Sequence, residues 1–231
     1  MEEATFQFDE AAHPLSMRVL EMLNSAVTDA RDGSRVIESL DGTLEDVVLA
    51  VGALAKKSQA QNTLAGLVEG NKRFLKAFDA FVDSVILPHL KHVMEDAGRS
   101  KEGEKLKFYI QRPPTLRIQP GPSEKYVRAH NDGEYGHQPG EVNFWLPLTD
   151  AAQAMATLWV EAEPGFYQSF GASKGEVVRF HGTSKRHYVP SNPTTKSRVS
   201  LDFRVGVEGS FDPNWGMKGE MGGHGRRLLV L

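Results

Sequence analysis

Apolar residues in the first hundred positions recur with the spacing of α-helices. Leu15, Val19 and Leu23 lie on one side of a 3.6-residue repeat, and Leu20 and Val27 continue the same stripe. A longer stripe farther along predicts a helix that Pro88 kinks or ends, followed by a final helical piece. The longer stripe contains Phe74, Leu75, Phe78, Phe81, Val82 and Val85, and the final piece contains Leu90, Val93 and Met94. We expect the phenylalanines of this stripe to be buried in the core.

A further helix is predicted to begin at Thr43. Glu45 and Asp46 would lie in its first turn, where the helix dipole favours negative charge. Its apolar stripe would comprise Val47, Val48, Val51, Leu54 and Ala55. The charged, glycine-bounded run GRSKEG at 98–103 is typical of an exposed connection. Residues 1–105 are therefore predicted to form an N-terminal helical segment.

After residue 105 the chain consists of short runs rich in β-branched and aromatic residues. Leu116 and Ile118 alternate with Arg117 and Gln119, as in a half-buried strand. Further runs lie at 142–146, 157–160, 177–180 and 199–205. Turn residues separate these runs, and no gap among them suits a helix, which indicates an antiparallel sandwich or barrel. We predict a mainly β fold, with residues 106–231 as its core, flanked by the N-terminal helices, and a loop-like tail after Gly206.

The composition narrows the class of function. The 231 residues carry 27 Lys and Arg against 30 Asp and Glu, a net charge of −3, so a non-specific nucleic-acid binder is not expected. Charges interrupt every apolar stretch before the ~18 residues of a membrane span. The acidic start MEEATFQFDE differs from the basic start of a secretory signal. We therefore expect a soluble, cytoplasmic protein.

The chain contains no cysteine, so thiolate metal sites and cysteine nucleophiles are excluded, and a transition metal must be bound by nitrogen and oxygen. His130 and Asp132 are two residues apart at the end of a predicted strand, so their side chains project to the same side. A third ligand must come from a distant strand. His187, just before the last long strand, suits this position, and His181 is a rival. Two imidazoles and one carboxylate on one face of an iron leave positions open, as in non-haem Fe(II) oxygenases.

Arg198 and Ser200 stand at the start of the last long strand, with ten residues between His187 and Arg198. On a strand these two side chains face the same way. A guanidinium offers a planar fork that suits a carboxylate, and the hydroxyl adds a second donor. Together they would hold the far carboxylate of a small dicarboxylate whose other end chelates the metal.

This combined pattern resembles that of 2-oxoglutarate-dependent Fe(II) oxygenases. It comprises His-x-Asp, a second histidine 55 residues after Asp132, and Arg-x-Ser after ten further residues. The segments PTLRIQP, HNDGEYGHQPGEVNFWLPLTDA and HYVPSNPTTKSRVSLDFRV, between residues 108 and 207, are similar to the phytanoyl-CoA hydroxylase-like branch. Within that branch they most resemble hydroxylases like the one in streptomycin biosynthesis.

The resemblance implies a double-stranded β-helix (jelly roll). His130, Asp132 and His187 match the iron ligands of the family, and Arg198 and Ser200 match its co-substrate clamp. It also implies that Fe(II), 2-oxoglutarate and O₂ are used, and that 2-oxoglutarate is decarboxylated to succinate while a small polar metabolite is oxidised. Halogenating relatives replace the carboxylate ligand by a small residue, so the presence of Asp132 favours hydroxylation or desaturation.

Four further residues are candidates for binding. Asn143 and Trp145 alternate on one predicted strand; Asn143 would bind the co-substrate or the substrate, or would be a structural amide, and Trp145 would contact substrate or belong to the core. Glu134 and His137 follow the predicted ligands in a turn-rich segment. They would contact the substrate at the barrel mouth or lie on a surface loop. Arg117 would be a buried cation that pairs with substrate or an exposed strand residue, and we interpret it as the latter.

Two other classes of protein remain compatible with the sequence. A metal-free jelly-roll protein could bind a small molecule without catalysis. A cupin-type isomerase or epimerase would work by acid–base chemistry without a co-substrate, but cupins generally use two closely spaced histidines and a glutamate a few residues on. Here Asp132 occupies the second of these positions, although Glu134 and His137 are nearby.

Overall fold

The computed structural model describes residues 3–29, 36–50, 59–101, 103–124, 126–150, 156–215 and 226–231. Its helices are α1 (Leu15–Asp29), α2 (Gln59–Gly70), α3 (Lys72–Phe81) and α4 (Leu87–Asp96). The first nine strands are β1 (Ala4–Gln7), β2 (Ile37–Leu40), β3 (Val47–Leu49), β4 (Lys107–Gln111), β5 (Thr115–Gln119), β6 (Val127–His130), β7 (Glu141–Pro147), β8 (Trp159–Glu163) and β9 (Phe166–Ser169). The remaining strands are β10 (Glu176–Phe180), β11 (His187–Val189), β12 (Arg198–Val207) and β13 (Arg226–Val230).

The helices predicted from the first and the longest apolar stripes are present. The longest stripe forms α3 and α4, joined by a π-helical turn at Val82–Ile86. Pro88 lies in the first turn of α4, directly after the π-helical turn, where the regular helical hydrogen-bond pattern has already changed. Asn71 caps α3, because its side chain accepts a hydrogen bond from the backbone N–H of Phe74. No helix in the described part of the chain is both long and apolar enough to cross a membrane.

The helix predicted to begin at Thr43 is wrong for the residues that the structure describes. Glu45 and Asp46 do start a helical turn, but it is a 3₁₀ turn of three residues, Leu44–Asp46. β3 follows at once and pairs with β2. Consecutive β-branched residues at Val47 and Val48 favour an extended backbone over helix continuation. The end of the predicted stripe, Val51 to Ala55, lies outside the described residues.

The larger of the two main sheets has the strand order β1-β10-β7-β12-β4-β13, and β5 also pairs with β12. All its strand pairs are antiparallel. Sequence analysis missed both of its outer strands. β1 lies before the first helix, and β13 lies in the tail predicted to be loop-like; a run of only four or five residues carries little periodicity. The glycines between 216 and 225, and His224, lie outside the described residues.

The smaller main sheet has the order β6-β11-β8-β9 and is also antiparallel. The prediction of a mainly β, antiparallel fold is therefore confirmed. Two apolar clusters are found among the described residues. The larger one contains residues of α1, α3 and α4 together with residues of the larger sheet. The smaller one contains Trp145, Val178 and Phe180 of the larger sheet and Val160 and Val189 of the smaller sheet.

Strand β12 shows how the larger sheet separates these two environments. Leu201 and Phe203, together with Val199 and Val205, belong to the larger cluster, and the Phe78 ring of α3 meets that of Phe203 edge to face at 5.1 Å. Because side chains alternate along a strand, the residues between them face the other way, toward the smaller sheet. Those residues are Arg198, Ser200, Asp202 and Arg204. We refer to this side of the larger sheet as the inner face. It is polar along β12, and this polarity positions the candidate site.

Candidate metal centre

The three predicted metal ligands lie together. His130 ends β6, Asp132 begins the 3₁₀ turn that follows, and His187 begins β11 directly opposite His130 in the strand pair. Oδ1 of Asp132 is 3.7 Å from Nε2 of His130 and 3.6 Å from Nε2 of His187. One donor atom from each of the three residues lies within 4.8 Å of the other two. Among the described residues, this is the group of histidines and acidic residues close enough to share a metal ion. The predicted rival His181 is not part of it.

Both imidazoles are oriented for metal binding by backbone carbonyl groups. Nδ1 of His130 lies 2.8 Å from the carbonyl oxygen of Arg128, and Nδ1 of His187 lies 3.1 Å from that of Lys185. A carbonyl oxygen can only accept, so in the neutral form of each imidazole Nδ1 carries the proton and Nε2 has the lone pair. Such second contacts fix the tautomer and the ring orientation in metal sites. The free lone pairs are on the atoms that converge on Asp132.

Asp132 is held through one carboxylate oxygen and presents the other to the histidines. Its Oδ2 accepts hydrogen bonds from Asn143 Nδ2 at 2.6 Å and from Arg204 Nε and Nη2 at 3.0 and 2.8 Å. Burial opposes ionisation of Asp132, but Arg204, His187 and Asn143 outweigh it and hold the pKa of this carboxyl well below its usual range. The carboxylate is therefore ionised and suited to bind a metal through Oδ1.

His187 is kept neutral by its surroundings. Burial lowers the pKa of its imidazole, and the nearby charge of Asp132 offsets this only in part. A neutral imidazole is the form that binds a metal ion. The two histidines and the ionised aspartate thus match the set of two imidazoles and one carboxylate that binds iron in non-haem Fe(II) oxygenases. A closed structural zinc site would need a fourth protein ligand.

The turn that carries Asp132 is defined by its own sequence. Asn131 and Glu134 form a capping box, in which the side chain of each bonds the backbone N–H of the other. Gly136 ends the turn with a φ of 89°, a conformation that glycine adopts without strain. Gly182, before β11, accepts a hydrogen bond from the Asp132 backbone N–H at 2.7 Å and donates to Asn143 Oδ1 at 3.1 Å. The metal-ligand turn is therefore tied to both sheets.

Arg198 and Ser200 lie on the inner face of β12 and are almost inaccessible to solvent, at 3% and 0%. Within the described part of the chain, Nε and Nη1 of Arg198 and Oγ of Ser200 have no hydrogen-bond partner. Burial, then the nearby charge of Arg117, lowers the pKa of Arg198 to about 10, and Asp202 opposes this. Unsatisfied buried donors are costly, so these atoms are suited to receive an anionic ligand.

The other predicted site residues have partners of their own. Asn143 binds Asp132 and Gly182, as described above. Trp145 belongs to the smaller apolar cluster. Glu134 Oε1 accepts a hydrogen bond from Arg186 at 3.1 Å.

His137 is buried with only 3% of its side chain exposed, and its Nδ1 lies 2.6 Å from Glu141 Oε2. The co-substrate and substrate contacts of these four residues stay predictions.

Sequence analysis missed two features of the site. Arg204, which binds Asp132, stands two residues after Asp202 in a strand whose apolar residues dominate the pattern. Arg117, interpreted as an exposed strand residue, is 47% exposed in its side chain, yet it forms an ion pair with Asp202. The polar residues at every second position from Arg198 to Arg204 are the signal that could have revealed this inner face.

Comparison with known proteins gives one related sequence and several distant structures. No family model matches the chain. Streptomycin biosynthesis protein StrG of Streptomyces griseus is 42% identical over 106 residues, which cover 46% of this chain and 50% of that protein. The aligned region thus spans about half the length of this relative.

Three solved structures illustrate the structural similarity. AviO1 from Streptomyces viridochromogenes Tue57 has 18% identity and a TM-score of 0.46, over 94% of this chain and 92% of that chain. A Pseudomonas putida prolyl-4-hydroxylase has 14% identity and a TM-score of 0.45, over 88% and 87% of the two chains. The non-heme monooxygenase ThoJ in complex with Ni has 14% identity and a TM-score of 0.47, over 90% and 73%.

Proposed function

We propose that this protein is an Fe(II)- and 2-oxoglutarate-dependent oxygenase that hydroxylates or desaturates a small polar metabolite. The observation that carries the proposal is the buried group of His130, Asp132 and His187, with two Nε2 lone pairs and one carboxylate oxygen turned toward each other. Three protein ligands leave coordination positions open for a co-substrate and O₂. When bound, iron would activate O₂, the oxidant, and 2-oxoglutarate would supply two electrons as it is decarboxylated to succinate and CO₂, which leaves one oxygen atom to oxidise the metabolite.

The chain's own residues would bind and orient these groups. His130, Asp132 and His187 would hold the metal, while Arg204 and Asn143 keep Asp132 ionised and in place. Arg198 and Ser200 would bind the far carboxylate of 2-oxoglutarate, since Nε and Nη1 of Arg198 and Oγ of Ser200 are buried and lack partners among the described residues. The apolar side chains of Trp145, Val178 and Phe180 would keep water away from the reacting groups.

Several finer parts of the proposal rest on the sequence. The spacing of His-x-Asp, His and Arg-x-Ser supports the phytanoyl-CoA hydroxylase-like branch and a jelly-roll core over residues 106–231, with residues 1–105 packed against it. The similarity to a streptomycin biosynthesis protein supports a small polar metabolite as substrate. The net charge of −3 argues against a nucleic-acid partner, and we propose a cytoplasmic location.

The experiment that tests the function measures succinate formation and O₂ uptake. Anaerobically purified protein is supplied with Fe(II), 2-oxoglutarate and a panel of amino acids, aminoglycosides and other small metabolites. We expect one class of compound to stimulate both signals. The matched variants are His187→Ala, which removes a ligand, and His181→Ala, which removes a histidine outside the ligand group. Only the first should abolish the signals.

Binding measurements separate this function from the alternatives. Metal analysis and the weak visible absorption that accompanies chelation of Fe(II) by 2-oxoglutarate should be positive for the native protein. Protein that binds neither would be a metal-free binding protein, and the proposed function would then be wrong. Conversion of a panel compound without 2-oxoglutarate would instead indicate a cupin-type isomerase or epimerase.

A further inference from the structure

Arg117 lies beside the two residues of the proposed carboxylate clamp. In the antiparallel pair of β5 and β12, Arg117 is directly opposite Ser200, and Gln119 is directly opposite Arg198. Directly opposite residues of such a pair project to the same face, with Cβ atoms about 5 Å apart. Arg117 therefore shares the inner face with Ser200, one strand away, and is the diagonal neighbour of Arg198.

Asp202 holds Arg117 by one edge of its guanidinium. Nε and Nη2 of Arg117 lie 3.2 and 2.9 Å from the same oxygen, Oδ2 of Asp202. Nη1 takes no part in this pair. The side chain of Arg117 is 47% exposed, although it extends from the inner face, so part of it is accessible to a ligand. The ion pair orients this guanidinium and leaves part of its donor set available.

The charges around this position favour an anion. Asp202 and, more weakly, Asp132 raise the pKa of Arg117, so this residue is close enough to the metal ligands for their charge to act on it. Arg117 in turn lowers the pKa of Arg198. Two guanidiniums and the single carboxylate of Asp202 leave one uncompensated positive charge, apart from the Asp132–Arg204 pair. Like charges at this separation repel each other, and a bound carboxylate would relieve that repulsion.

We infer that Arg117 is a second co-substrate-binding residue, which binds the far carboxylate of 2-oxoglutarate together with Arg198 and Ser200. Asp202 is its positioning residue. The inference rests on the proposed function. It gives the pocket a specific property: two guanidiniums make binding depend on the second carboxylate of the oxo acid. The site would therefore select 2-oxo diacids over 2-oxo monoacids of the same length.

The test uses two probes, 2-oxoglutarate and 2-oxovalerate, which has the same carbon chain without the far carboxylate. Their affinities are measured by anaerobic calorimetry with Mn(II)-loaded protein. We expect Arg117→Gln to lower the affinity for 2-oxoglutarate at least about tenfold, because one charge-assisted hydrogen bond is lost. The affinity for 2-oxovalerate should not change. Arg117→Lys, which keeps the positive charge, should lower the affinity for 2-oxoglutarate by less. Arg112→Gln, which breaks an arginine–aspartate pair with Asp79 on the helical side, is the matched control and should change neither affinity.

The outcomes distinguish the inference from the function on which it rests. Native protein that binds Mn(II) but neither oxo acid would overturn the proposed function. If the native protein favours 2-oxoglutarate and Arg117→Gln keeps the same preference, Arg117 does not contact the co-substrate. An equal loss of both probes would mean that Arg117 only maintains the structure, which also overturns the inference.

A double substitution separates direct contact from charge neutralisation. If Arg117 served only to neutralise Asp202, removing both charges in Arg117→Gln/Asp202→Asn would restore native 2-oxoglutarate affinity. We expect the double variant to bind 2-oxoglutarate at least about tenfold more weakly than the native protein, because the donor itself is missing. Asp202→Asn alone keeps an oxygen that accepts from Arg117, so it should change the affinity by less than about threefold. Full recovery in the double variant would overturn the inference.

Discussion

Arg204 donates two hydrogen bonds to Oδ2 of Asp132, from Nε at 3.0 Å and from Nη2 at 2.8 Å, and both side chains are buried. The two residues come from different parts of the fold: Asp132 lies in the turn after β6, and Arg204 lies on β12 of the larger sheet. Occupation of Oδ2 leaves Oδ1 for the metal. The aspartate ligand is thus oriented by the sheet opposite its own strand.

Arg204→Gln is therefore expected to weaken metal binding without removing a ligand. A glutamine cannot supply both donors or the positive charge, so Asp132 would lose its orientation and the pKa of its carboxyl would rise. Loss of such an outer partner costs about 10- to 100-fold in metal affinity. Titration of the apoprotein with Mn(II) or Fe(II) under anaerobic conditions measures this.

Arg112→Gln is the control for this substitution as well. The guanidinium of native Arg112 also donates two hydrogen bonds to one aspartate, Asp79 of α3, at 2.8 and 3.1 Å. It should leave metal affinity at the native value, because this pair lies on the helical side of the sheet. Native metal affinity in Arg204→Gln would contradict the role assigned to the Arg204–Asp132 pair.

The ligand group could be predicted from sequence because its geometry is mostly local. His130 and Asp132 are two residues apart, and the chemistry of nitrogen and oxygen ligands then restricted the third position to a few histidines. Arg204 could not be predicted in the same way. Its contact with Asp132 depends on the packing of one sheet over another, and 72 residues separate the two in sequence.

The fold was predictable to a similar extent. Long apolar stripes identified α1, α3 and α4, since burial of one face repeats over several turns. The Thr43 prediction failed because Leu44, Glu45 and Asp46 form only a single 3₁₀ turn, whereas Val47 and Val48 favour a strand once β2 is available for pairing. The pairing of β1 and β13 at the outer strands depends on partners far away in sequence, which a short run cannot specify.

Arg198→Met is expected to separate ligand binding from stability. Arg198 is 3% exposed and its guanidinium has donors without partners among the described residues, so the burial of this charge is costly until an anion binds. Methionine fills much of the same volume without that cost. We expect 2-oxoglutarate affinity to fall about 100-fold or more, metal affinity to persist, and the melting temperature of the ligand-free protein to be unchanged or higher.

Calorimetry and thermal melts with and without 2-oxoglutarate measure both effects. Arg186→Gln is the control, since the Arg186 guanidinium pairs with Glu134 at 3.1 Å and the side chain of Arg186 is 41% exposed. The native protein should melt at a higher temperature in the presence of 2-oxoglutarate, and Arg198→Met should not. Equal 2-oxoglutarate affinity in native protein and Arg198→Met would refute the clamp assignment.

His89 should make stability depend on pH. Its Nε2 accepts a hydrogen bond from Arg179 Nη1 at 2.8 Å, and its ring stacks on Phe6 at 3.9 Å. Burial, then the charges of Arg179 and His92, lowers the pKa of His89 from 6.5 to about 4. Below pH 6.5 the unfolded chain therefore binds a proton that the folded protein does not bind until the pH approaches 4. Stability is lost as the pH falls through this range.

We expect this loss of stability to be on the order of 1–2 kcal/mol, because solvent screens the partly exposed imidazole and reduces the effect of its charge. His89→Gln keeps an acceptor for Arg179 but does not titrate, so its free energy of unfolding should fall less over this pH range. His92→Gln, at an exposed position of the same helix, removes only the smallest of the three causes that lower the pKa of His89, so this variant should keep most of the native pH dependence. Urea unfolding at several pH values measures the difference. An identical pH dependence in native protein and His89→Gln would show that His89 is not the responsible group.

Gly182→Ala is expected to disturb the metal site through Asn143. A Cβ at this position would lie 2.6 Å from Nδ2 and 2.8 Å from Cγ of Asn143, so that side chain must move. Asn143 would then lose its bond to Asp132 Oδ2, and we expect metal affinity to fall about tenfold. The crowding itself should cost on the order of 1–3 kcal/mol of stability.

Two further variants show whether this effect is transmitted by Asn143. Gly66→Ala, at an exposed position of α2 with nothing within 4 Å of the added Cβ, should leave metal affinity unchanged and stabilise the protein by about 0.5–1 kcal/mol. In Gly182→Ala/Asn143→Ala the shorter side chain makes room for the new methyl group. Its melting temperature should recover relative to Gly182→Ala, but its metal affinity should stay low, because the donor to Asp132 is missing. Recovery of both properties would show that Asn143 does not orient the ligand, and that the contacts of Arg204 suffice.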